Sequence, residues 1–212
     1  MSDIAIIVPT VNRPHLLAGL VGSIRNSTQA SHDTYFMVEQ TDHQTQKALN
    51  DLGTAGQLGE YGSYTAAANA GVQRTSEPYF IVANDDVLFR FGWDAIALGY
   101  MRDPIRVVGI NQGDGRTSSF FLVDRRYILE RSGVPDEPRR LYHHGYRSQY
   151  CDTEFVGVAQ ARGVWADAPD ALVEHCHWTF GKAGIDENYQ KALDSHWHDH
   201  NLYHQRRRLW AA

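Results

Sequence analysis

The sequence predicts an α/β fold built on one mixed, mostly parallel β-sheet. Residues 4–8 are a continuous apolar run, which is typical of a strand buried on both faces of a parallel sheet. Residues 15–25 carry leucine, valine and isoleucine at helical spacing, and residues 35–38 form a second apolar run. A strand, a helix and a strand within about 35 residues indicate a βαβ unit.

The alternation of strands and helices continues along the chain, without internal repeats or a clear linker. Further strands are predicted at residues 79–83, 107–110, 120–123 and 171–174. Helices are predicted at residues 65–72, 93–101, 126–131 and 153–162 and, as one or two polar helices, at residues 186–208. We interpret the glycine-rich residues 53–62 as a mobile connector and residues 134–147 as an exposed loop. We expect residues 1–185 to form one domain, with residues 186–212 as a helical extension packed on it.

The composition is that of an ordinary globular protein. The 212 residues are 42% hydrophobic and 21% charged, which argues against a disordered chain. The net charge of −5 argues against a uniformly basic nucleic-acid binder, but not against a local basic face. Cys151 and Cys176 provide no disulfide framework, and the sequence contains neither a signal-peptide pattern nor a run of about 18 apolar residues. We therefore expect a cytoplasmic protein without a membrane segment.

Polar residues, Asn84-Asp85-Asp86, directly follow the predicted strand at residues 79–83. Open α/β sheets bind ligands at the carboxyl ends of their strands. A hard divalent cation takes oxygen ligands, usually one or two carboxylates together with substrate phosphates. One of the two aspartates is enough to contact the metal, which leaves its neighbour free to hydrogen-bond a sugar hydroxyl. The alternative interpretation is a turn in which the acids cap a helix.

Four short motifs, in a fixed order along the chain, carry a resemblance to a known enzyme family. Residues 7–14, Ile-Val-Pro-Thr-Val-Asn-Arg-Pro, resemble its first strand and nucleotide-binding loop, and residues 64–71, Tyr-Thr-Ala-Ala-Ala-Asn-Ala-Gly, resemble its Ala-x-Asn-x-Gly helix. Residues 84–86 resemble its DxD-type motif, and residues 150–155 its Glu-Asp acceptor motif, although Cys151 stands where the glutamate usually is. The family is that of the family 2-type nucleotide-sugar glycosyltransferases of the GT-A fold, and the resemblance covers roughly residues 4–180.

This resemblance implies a GT-A fold, in which a Rossmann-like nucleotide-binding half is fused to an acceptor half. It also implies transfer of a sugar from a nucleotide diphosphate donor, with a UDP-sugar favoured, in the presence of Mn²⁺ or Mg²⁺. Asp86 takes the metal position, with Asp85 near the ribose. The residues implied in donor binding are Pro9, Thr10, Asn12, Arg13, Gln40, Asn69, Asn84 and Asp85.

The residue that contacts the nucleobase stays open. The family often has an aspartate just after its second strand, whereas this chain has Glu39-Gln40-Thr41-Asp42 there. The identity of the base is therefore open as well.

Asp152 is the candidate catalytic base, and Glu154 is the alternative. A carboxylate within hydrogen-bond reach of the acceptor hydroxyl takes its proton, an effect worth about 10²–10⁴-fold in rate. From the residues alone, the N-cap of the following helix is the stronger interpretation of Asp152, and the acceptor motif reverses this preference. A base opposite the leaving group implies inversion at the anomeric carbon.

Six of the eleven histidines lie after Val173. His175 and His177 follow the last predicted strand, and alternate residues of an extended segment face the same side. Both imidazoles are therefore candidates for one metal ion, at the place where many GT-A enzymes use a late histidine; we favour His177, with His175 nearly equal. An imidazole ligand suits Mn²⁺ better than Mg²⁺. The alternative is a surface histidine beside Trp178.

The acceptor also stays open. Some short chains of this type are phage-encoded enzymes that glycosylate hydroxymethylated pyrimidines in DNA, in which case the expected location is the host cytoplasm. A base in a duplex would first have to be flipped out. The arginines on the presumed acceptor side are Arg125, Arg126, Arg131, Arg139, Arg140 and Arg147, against acids at positions 124, 130, 136 and 137. Glycan, protein and small-molecule acceptors are the alternatives, and the sequence determines neither the sugar nor the oligomeric state.

Three other functions compete with sugar transfer. A sugar-nucleotide pyrophosphorylase needs a glycine-rich loop with arginine and lysine after the first strand, whereas residues 10–14 are Thr-Val-Asn-Arg-Pro. A non-catalytic module that binds a nucleotide sugar or DNA would keep the donor loop without needing the base. A zinc hydrolase would use His196, His200 and His204 at helical spacing, but the HExxH pattern is absent and a polar helix face is preferred.

Overall fold

The computed structural model describes residues 2–211. Its strands are β1 (Ile4–Thr10), β2 (His32–Glu39), β3 (Gly56–Gly59), β4 (Tyr79–Val82), β5 (Val87–Phe89), β6 (Val107–Asn111), β7 (Phe120–Asp124) and β8 (Trp165–His175). Its α-helices are α1 (Pro14–Ser27), α2 (His43–Asp51), α3 (Tyr64–Arg74), α4 (Trp93–Tyr100), α5 (Arg125–Arg131), α6 (Cys151–Ala161) and α7 (Glu187–Arg206). The strands form one sheet in the order β3-β2-β1-β4-β7-β6-β8-β5. Within residues 2–211, no helix is long and apolar enough to cross a membrane.

The first half of the sheet is parallel. β1 pairs with β2 on one side and with β4 on the other, and β3 extends the sheet beyond β2. All seven residues of β1 are buried, in agreement with its continuous apolar sequence. α1 begins at Pro14, whose ring fixes φ for the first helical turn, where its missing N–H is not needed. The predicted βαβ unit, β1-α1-β2, is confirmed. Because β4 is also parallel to β1, the carboxyl ends of β1, β2 and β4 lie at one edge of the sheet.

The second half of the sheet is mixed. β7 runs antiparallel to β4 and β6, while β8 is parallel to β6 and antiparallel to β5. The short connection from β6 to β7 explains their antiparallel direction, because parallel neighbours need a crossover of about a dozen residues or more. Four of the seven strand pairings are parallel, so the prediction of a mixed, mostly parallel sheet is confirmed.

Apolar side chains pack on both faces of the sheet. Ile4 and Ile6 of β1 belong to one cluster, which also contains Trp93 of α4. Ala5 and Ile7 belong to a second cluster, which joins the sheet to α3 and α6. This division follows from the strand geometry, since successive side chains point to opposite faces. The helices therefore cover the sheet on both sides, and the edge with the carboxyl ends of the parallel strands stays open.

Three elements, α2, β3 and β5, are not predicted from the sequence, and β5 is a strand of three residues directly after the acids at positions 85 and 86. α2 is not predicted, because only Ala48 and Leu49 of its nine residues are apolar; its start is fixed by Asp42, whose side chain accepts a hydrogen bond from the N–H of Thr45 at 3.0 Å. β3 lies inside the segment interpreted as a mobile connector, and that interpretation is wrong for residues 56–59. Backbone pairing with β2 holds β3 in the sheet, and such pairing needs no hydrophobic pattern in the sequence.

A long connection, residues 132–150, joins α5 to α6 without a strand or a helix. Side chains from other elements hold it by its backbone. The amide of Asn69 accepts hydrogen bonds from the N–H groups of residues 141–142 and donates one to the carbonyl of Tyr142. Asp199 of α7 accepts hydrogen bonds from the three N–H groups of residues 147–149. The same contacts attach α7 to the body of the fold.

Candidate active site

A cleft of about 800 Å³ opens at the carboxyl ends of β1, β2 and β4. Residues that directly follow β1 and β4 form part of its lining, together with residues 61–64, residues 147–152 and the start of α7. Nine of the predicted site residues contribute to the lining: Pro9, Thr10, Arg13, Asn84, Asp85, Asp86, Asp152, His175 and His177. The cleft thus lies at the edge of the sheet where the sequence places the donor site.

Asp85 connects the ends of β1 and β4. Its Oδ2 accepts a hydrogen bond from the hydroxyl of Thr10 at 2.9 Å, and its Oδ1 accepts one from Nη1 of Arg13 at 2.8 Å. Burial raises the pKa of Asp85 to about 6, and the charge of Asp86 adds to this rise, against the lowering effect of Arg13. Asp85 therefore fixes the guanidinium of Arg13 beside the acidic pair.

Arg13 provides a buried positive charge in the cleft. Its side chain is 7% exposed, and its Nε and Nη2 donate hydrogen bonds to the two oxygens of Asp186 at 2.7 and 2.8 Å. The guanidinium also lies 4.1 Å from the ring centre of Tyr189. Burial acts against the charge, but Asp186 and Asp85 outweigh it and raise the pKa of Arg13 above its ordinary value. This fixed cation is suited to an anionic ligand.

The two oxygens of Asp86 have different surroundings. Oδ2 accepts a hydrogen bond from the hydroxyl of Tyr189 at 2.6 Å. Oδ1 lies 3.2 Å from Nε2 of His175, but it is buried without a well-oriented hydrogen-bond donor among residues 2–211. Burial opposes the charge of Asp86, but the contacts with His175, Tyr189 and Arg13 outweigh it and lower its pKa to about 2. Asp86 is therefore ionised at neutral pH, with Oδ1 still available to a ligand.

Asp86 and His175 fit a divalent cation. Metal–ligand bonds of about 2.1 Å place two neighbouring ligand atoms about 3 Å apart. The separation of Asp86 Oδ1 and His175 Nε2, 3.2 Å, is close to this value. The remaining ligands of such a cation commonly come from water and substrate phosphates.

His175, rather than His177, faces Asp86. Nδ1 of His177 lies 2.8 Å from the hydroxyl of Thr179, and its ring packs edge-on against Tyr189 with 4.5 Å between the ring centres. Burial, and next the charge of His175, lower the pKa of His177. The two imidazoles are close, 4.9 Å between ring centres, as expected for alternate residues of an extended segment. The preference for His177 over His175 drawn from the sequence does not match this geometry.

Another group of ligand-type atoms lies outside the cleft. Glu137, His143 and His144 bring three such atoms within 4.8 Å of one another. The N–H of Gly145 donates a hydrogen bond to Nδ1 of His143 at 3.1 Å, so a neutral His143 carries its proton on Nε2. That Nε2 lies 3.0 Å from Glu137, to which it donates. These contacts satisfy one another, and a metal would have to displace the proton.

Asp152 lies in the first turn of α6 and lines the cleft. The helix begins at Cys151 and its N-cap is Tyr150, so the interpretation of Asp152 as an N-cap is wrong. Tyr150 has a φ of 61°, a strained value for a residue other than glycine, at the turn that enters α6. Burial raises the pKa of Asp152, against hydrogen bonds from Thr153. A carboxylate with a raised pKa in a cleft suits a general base.

Glu154 lies outside the cleft lining, although it is only two residues from Asp152. Two helical residues are separated by about 200° around the helix axis, so the two side chains leave opposite faces of α6. The carboxylate of Glu154 is fully buried and accepts hydrogen bonds from Arg206 at 2.7 Å and from the hydroxyl of Tyr146 at 2.7 Å. Arg206 also binds Asp136. Glu154 therefore joins α6 to α7.

Asn12 and Asn69 are also outside the cleft lining. Asn12 is exposed and has a φ of 54°, and its N–H donates a hydrogen bond to Asp42 at 2.6 Å. Asn69 is 4% exposed and holds the backbone of residues 141–142. An asparagine side chain offers both a donor and acceptors, which suits the buried N–H and C=O groups of a loop.

Glu39 occupies the place for which the sequence predicts Gln40. Gln40 is exposed and outside the lining, where its amide donates to Glu60. Glu39 ends β2 and lines the cleft, and its carboxylate accepts hydrogen bonds from the N–H groups of Tyr61 at 3.1 Å and Gly62 at 2.8 Å. The period of two in a strand is the signal that separates these neighbours, because only one of them faces a given side.

The start of α7 contributes residues that the sequence does not single out. Asn188 donates a hydrogen bond to the carbonyl of Val11 at 2.5 Å, next to the contacts of Asp186 with Arg13 and of Tyr189 with Asp86. The pattern around Asp186 indicates a helix N-cap, since its side chain accepts from the N–H of Tyr189. No pattern in the sequence links this segment to the loop after β1.

The arginines expected on the acceptor side do not form one face. Arg125 is buried and donates hydrogen bonds to two backbone carbonyls. Arg126 pairs with Asp124, and Arg147 lines the cleft. Of the three, Arg147 is the one placed to meet a ligand in the cleft.

His196, His200 and His204 form one stripe along α7, as their spacing predicts. The ring centres of His200 and His204 are 4.4 Å apart, and those of His196 and His200 are 5.9 Å apart. Nδ1 of His196 lies 2.7 Å from the amide oxygen of Gln149, which lines the cleft.

Comparisons with known proteins place this architecture among solved folds. No protein-family model matches the chain, and no curated protein matches it. The chain is similar to the mannosyltransferase PcManGT from Pyrobaculum calidifontis in complex with GDP-Man and Mn²⁺, with a TM-score of 0.61 and 16% identity over 82% of this chain and 56% of that one. It is also similar to TarS from S. aureus in complex with UDP, with a TM-score of 0.64 and 11% identity over 81% of this chain and 59% of that one.

A third similar structure is glucosyl-3-phosphoglycerate synthase from Mycobacterium tuberculosis in complex with Mn²⁺, UDP and glucosyl-3-phosphoglycerate. The TM-score is 0.62 and the identity 11%, over 90% of this chain and 75% of that one. The chain spans less than two thirds of the length of PcManGT and of TarS. At such identities the likeness concerns the fold. The chain thus has the GT-A fold, as its sequence motifs predict.

Proposed function

We propose that the chain is a metal-dependent glycosyltransferase that moves a sugar from a nucleotide diphosphate donor to an acceptor hydroxyl. The proposal rests on the cleft floor, beside the buried cation of Arg13. There a buried oxygen of Asp86, which has no well-oriented hydrogen-bond donor among residues 2–211, lies 3.2 Å from the imidazole nitrogen of His175. A cleft of about 800 Å³ is in the range of sites for ligands of this size. The three similar structures hold GDP-Man or UDP, two of them with Mn²⁺, which supports the same ligand class here.

Asp86 and His175 are the proposed metal ligands, and a bound Mn²⁺ or Mg²⁺ would supply Lewis-acid stabilisation of charge on the departing diphosphate. Arg13 adds a fixed positive charge whose orientation is set by Asp85. The two oxygens of Asp85 each keep a second lone pair beyond their bonds to Thr10 and Arg13, and we assign one of these to a ribose hydroxyl of the donor.

Asp152 is the proposed general base. Its carboxylate lines the same cleft from the α6 side, whereas Glu154 faces away. Removal of the acceptor proton by Asp152 allows the hydroxyl to attack the anomeric carbon while the diphosphate leaves. A base on the side opposite the leaving group gives inversion at that carbon.

Glu39 is the proposed contact of the nucleobase. Its Oε2 makes the weaker backbone contact, 3.2 Å from the N atom of Tyr61, and keeps the capacity to accept an N–H from a base. Uracil offers one such N–H and guanine offers two on adjacent positions. A UDP-sugar is therefore the first donor to test, and a GDP-sugar the second.

For the acceptor, we test hydroxymethylcytosine DNA first. Arg147 and Lys191 line the cleft and carry charges suited to a phosphate backbone, although Asp194 lies in the same lining. A base in a duplex would have to leave the stack to enter the cleft. Glycans, proteins and small molecules with a free hydroxyl are the competing acceptors.

The test is a mass-spectrometric screen of UDP- and GDP-sugars against hydroxymethylcytosine DNA, unmodified DNA and simple glycans in the presence of Mn²⁺. We expect a product heavier by one sugar with the native protein and a much slower reaction with Asp152→Asn. Donor binding without transfer to any acceptor would instead support a non-catalytic binding module, which would keep the donor loop without needing the base. Absence of both binding and transfer would contradict the proposal.

A further inference from the structure

The start of α7 holds the same two side chains that the proposed donor complex needs. The carboxylate of Asp186 accepts hydrogen bonds from Nε and Nη2 of Arg13 in a bidentate ion pair, at 2.7 and 2.8 Å. The hydroxyl of Tyr189 donates a hydrogen bond to Oδ2 of Asp86 at 2.6 Å. Asn188 adds a hydrogen bond to the backbone carbonyl of Val11, in the loop after β1. We name Asp186, Asn188 and Tyr189 the α7 latch.

We propose that the α7 latch competes with the donor, so that the diphosphate and its metal displace Asp186 from Arg13 and Tyr189 from Asp86. This inference rests on the proposed function. A diphosphate and the carboxylate of Asp186 are both anions that seek the same guanidinium, and bidentate recognition by one side chain serves one of them at a time. The latch thus occupies part of the proposed donor site when no donor is bound.

Displacement of Asp186 would also change the contacts of Asp86. His175 lies beside Oδ1, while the hydroxyl of Tyr189 covers Oδ2. Tyr189 is three residues after Asp186, in the first turn of α7, so displacement of Asp186 from Arg13 would also withdraw the tyrosine hydroxyl from Oδ2. The ring centre of Tyr189 also lies 4.1 Å from the guanidinium of Arg13 and 4.5 Å from the ring centre of His177, so its movement would remove a contact from each.

The chain before the latch is suited to such a movement. Residues 181–185 are all exposed, and Gly181 has a φ of 68°, in the left-handed region that favours glycine. A Cβ added at Gly184 would meet no atom within 4 Å. By contrast, the later part of α7 is fixed by Asp199 and Arg206, which are 0% and 6% exposed. The start of α7 can therefore open while its end stays attached.

Two conservative variants distinguish a latch that competes with the donor from one that only stabilises the site. Tyr189→Phe removes the hydroxyl and keeps the ring, and Asp186→Asn removes the charge and keeps an N-cap residue for α7. Their matched controls are Tyr203→Phe, on the same helix, and Glu187→Gln, the exposed acid next to the cap. UDP and GDP, each with Mn²⁺, are the ligands in calorimetric titrations, and amide hydrogen exchange of residues 178–190 is measured without ligand.

The latch predicts tighter binding when it is weakened. Loss of one hydrogen bond to a charged acceptor corresponds to roughly tenfold in affinity, so both variants should bind the better nucleotide about tenfold more tightly than the controls. Both should also show faster exchange at residues 178–190 in the absence of ligand. Equal or weaker binding in the variants, with the native protein binding normally, would overturn the latch and leave the proposed function intact. No binding of UDP or GDP by any of the proteins would overturn the proposed function and, with it, the competition.

Discussion

Following the proposed function, we call β1 to β4 with α1 and α3 the donor half, and residues 132–161 with α7 the acceptor half. The two halves are held together differently. In the donor half, parallel strands pair by their backbones over an apolar core, and the polar residues come at the strand ends. In the acceptor half, a long connection without regular structure is held by buried polar side chains, Asp199 and Glu154 from the same half and Asn69 from α3 of the donor half. Of the polar residues that the sequence suggests for the site, those at the strand ends therefore line the cleft, whereas Asn69 and Glu154 support the structure.

The largest expected effect is that of Asp152→Asn, which tests the one chemical role assigned to the acceptor half. Loss of the proposed base should lower the transfer rate by about 10²–10⁴-fold while donor binding is retained. The rate is measured under saturating donor and acceptor, and UDP affinity by calorimetry. Asp170→Asn, at an exposed position of β8, is the matched control. Transfer at the native rate would show that Asp152 is not the base.

Glu154→Gln should affect stability instead of chemistry. The change leaves Arg206, which is almost buried, with Asp136 as its remaining anionic partner, so we expect a loss of about 2–4 kcal/mol in the free energy of unfolding. The measurement is chemical denaturation, compared with Glu130→Gln at an exposed site of α5. A fall in the transfer rate at unchanged stability would place Glu154 in the chemistry and break the contrast between the halves.

Asn69→Asp should have a smaller effect of the same kind. The carbonyl of Tyr142 loses its donor, and a charge is introduced at a site that is 4% exposed. We expect a loss of about 1–3 kcal/mol in unfolding free energy and no change in nucleotide affinity. Asn50→Asp, on the exposed face of α2, serves as the control. Weaker binding of UDP at native stability would return Asn69 to the donor site.

The pH dependence should be the smallest effect. Burial raises the pKa of Asp152, so the transfer rate should fall as the pH drops through that raised value. The rate should fall about tenfold per pH unit, and the fall should begin at a pH above the usual aspartate range near 4. The stability should change in the opposite sense, because a raised pKa favours the protonated form in the folded state: stability is lost as the pH rises through it. Thermal unfolding at neutral pH should therefore show Asp152→Asn as slightly more stable than the native chain. An acid limb at the ordinary aspartate pKa would contradict this account of the burial.

The donor half could be predicted from sequence because its signals are local. The apolar run of β1 and the acids after β4 are adjacent to the elements that place them, so Asp85 and Asp86 are found at the expected edge of the sheet. The error at Gln40 is also local. Glu39, the last residue of β2, lines the cleft, whereas the next residue, Gln40, is exposed to solvent. Period and position were sufficient for the fold and for most of the cleft floor.

The acceptor half depends on contacts between distant residues. The ion pair of Arg13 with Asp186 joins residues 173 positions apart, and the hydrogen bond of Tyr189 with Asp86 joins residues 103 positions apart. No periodicity encodes such pairs. The role of Asn69 was equally hidden, because an asparagine that binds a ligand and one that binds a loop have the same local sequence.

We propose that Asp86 and His175 form a metal-dependent site for a nucleotide diphosphate, and calorimetric titration of UDP and GDP with and without Mn²⁺ tests this claim most directly. We predict that one of the two nucleotides binds the native protein when Mn²⁺ is present and binds far more weakly without it. Asp86→Asn should lose this metal-dependent gain, since it removes the charge of the proposed ligand. Binding of neither nucleotide, or binding that is unchanged by Mn²⁺ and by Asp86→Asn, would contradict the claim.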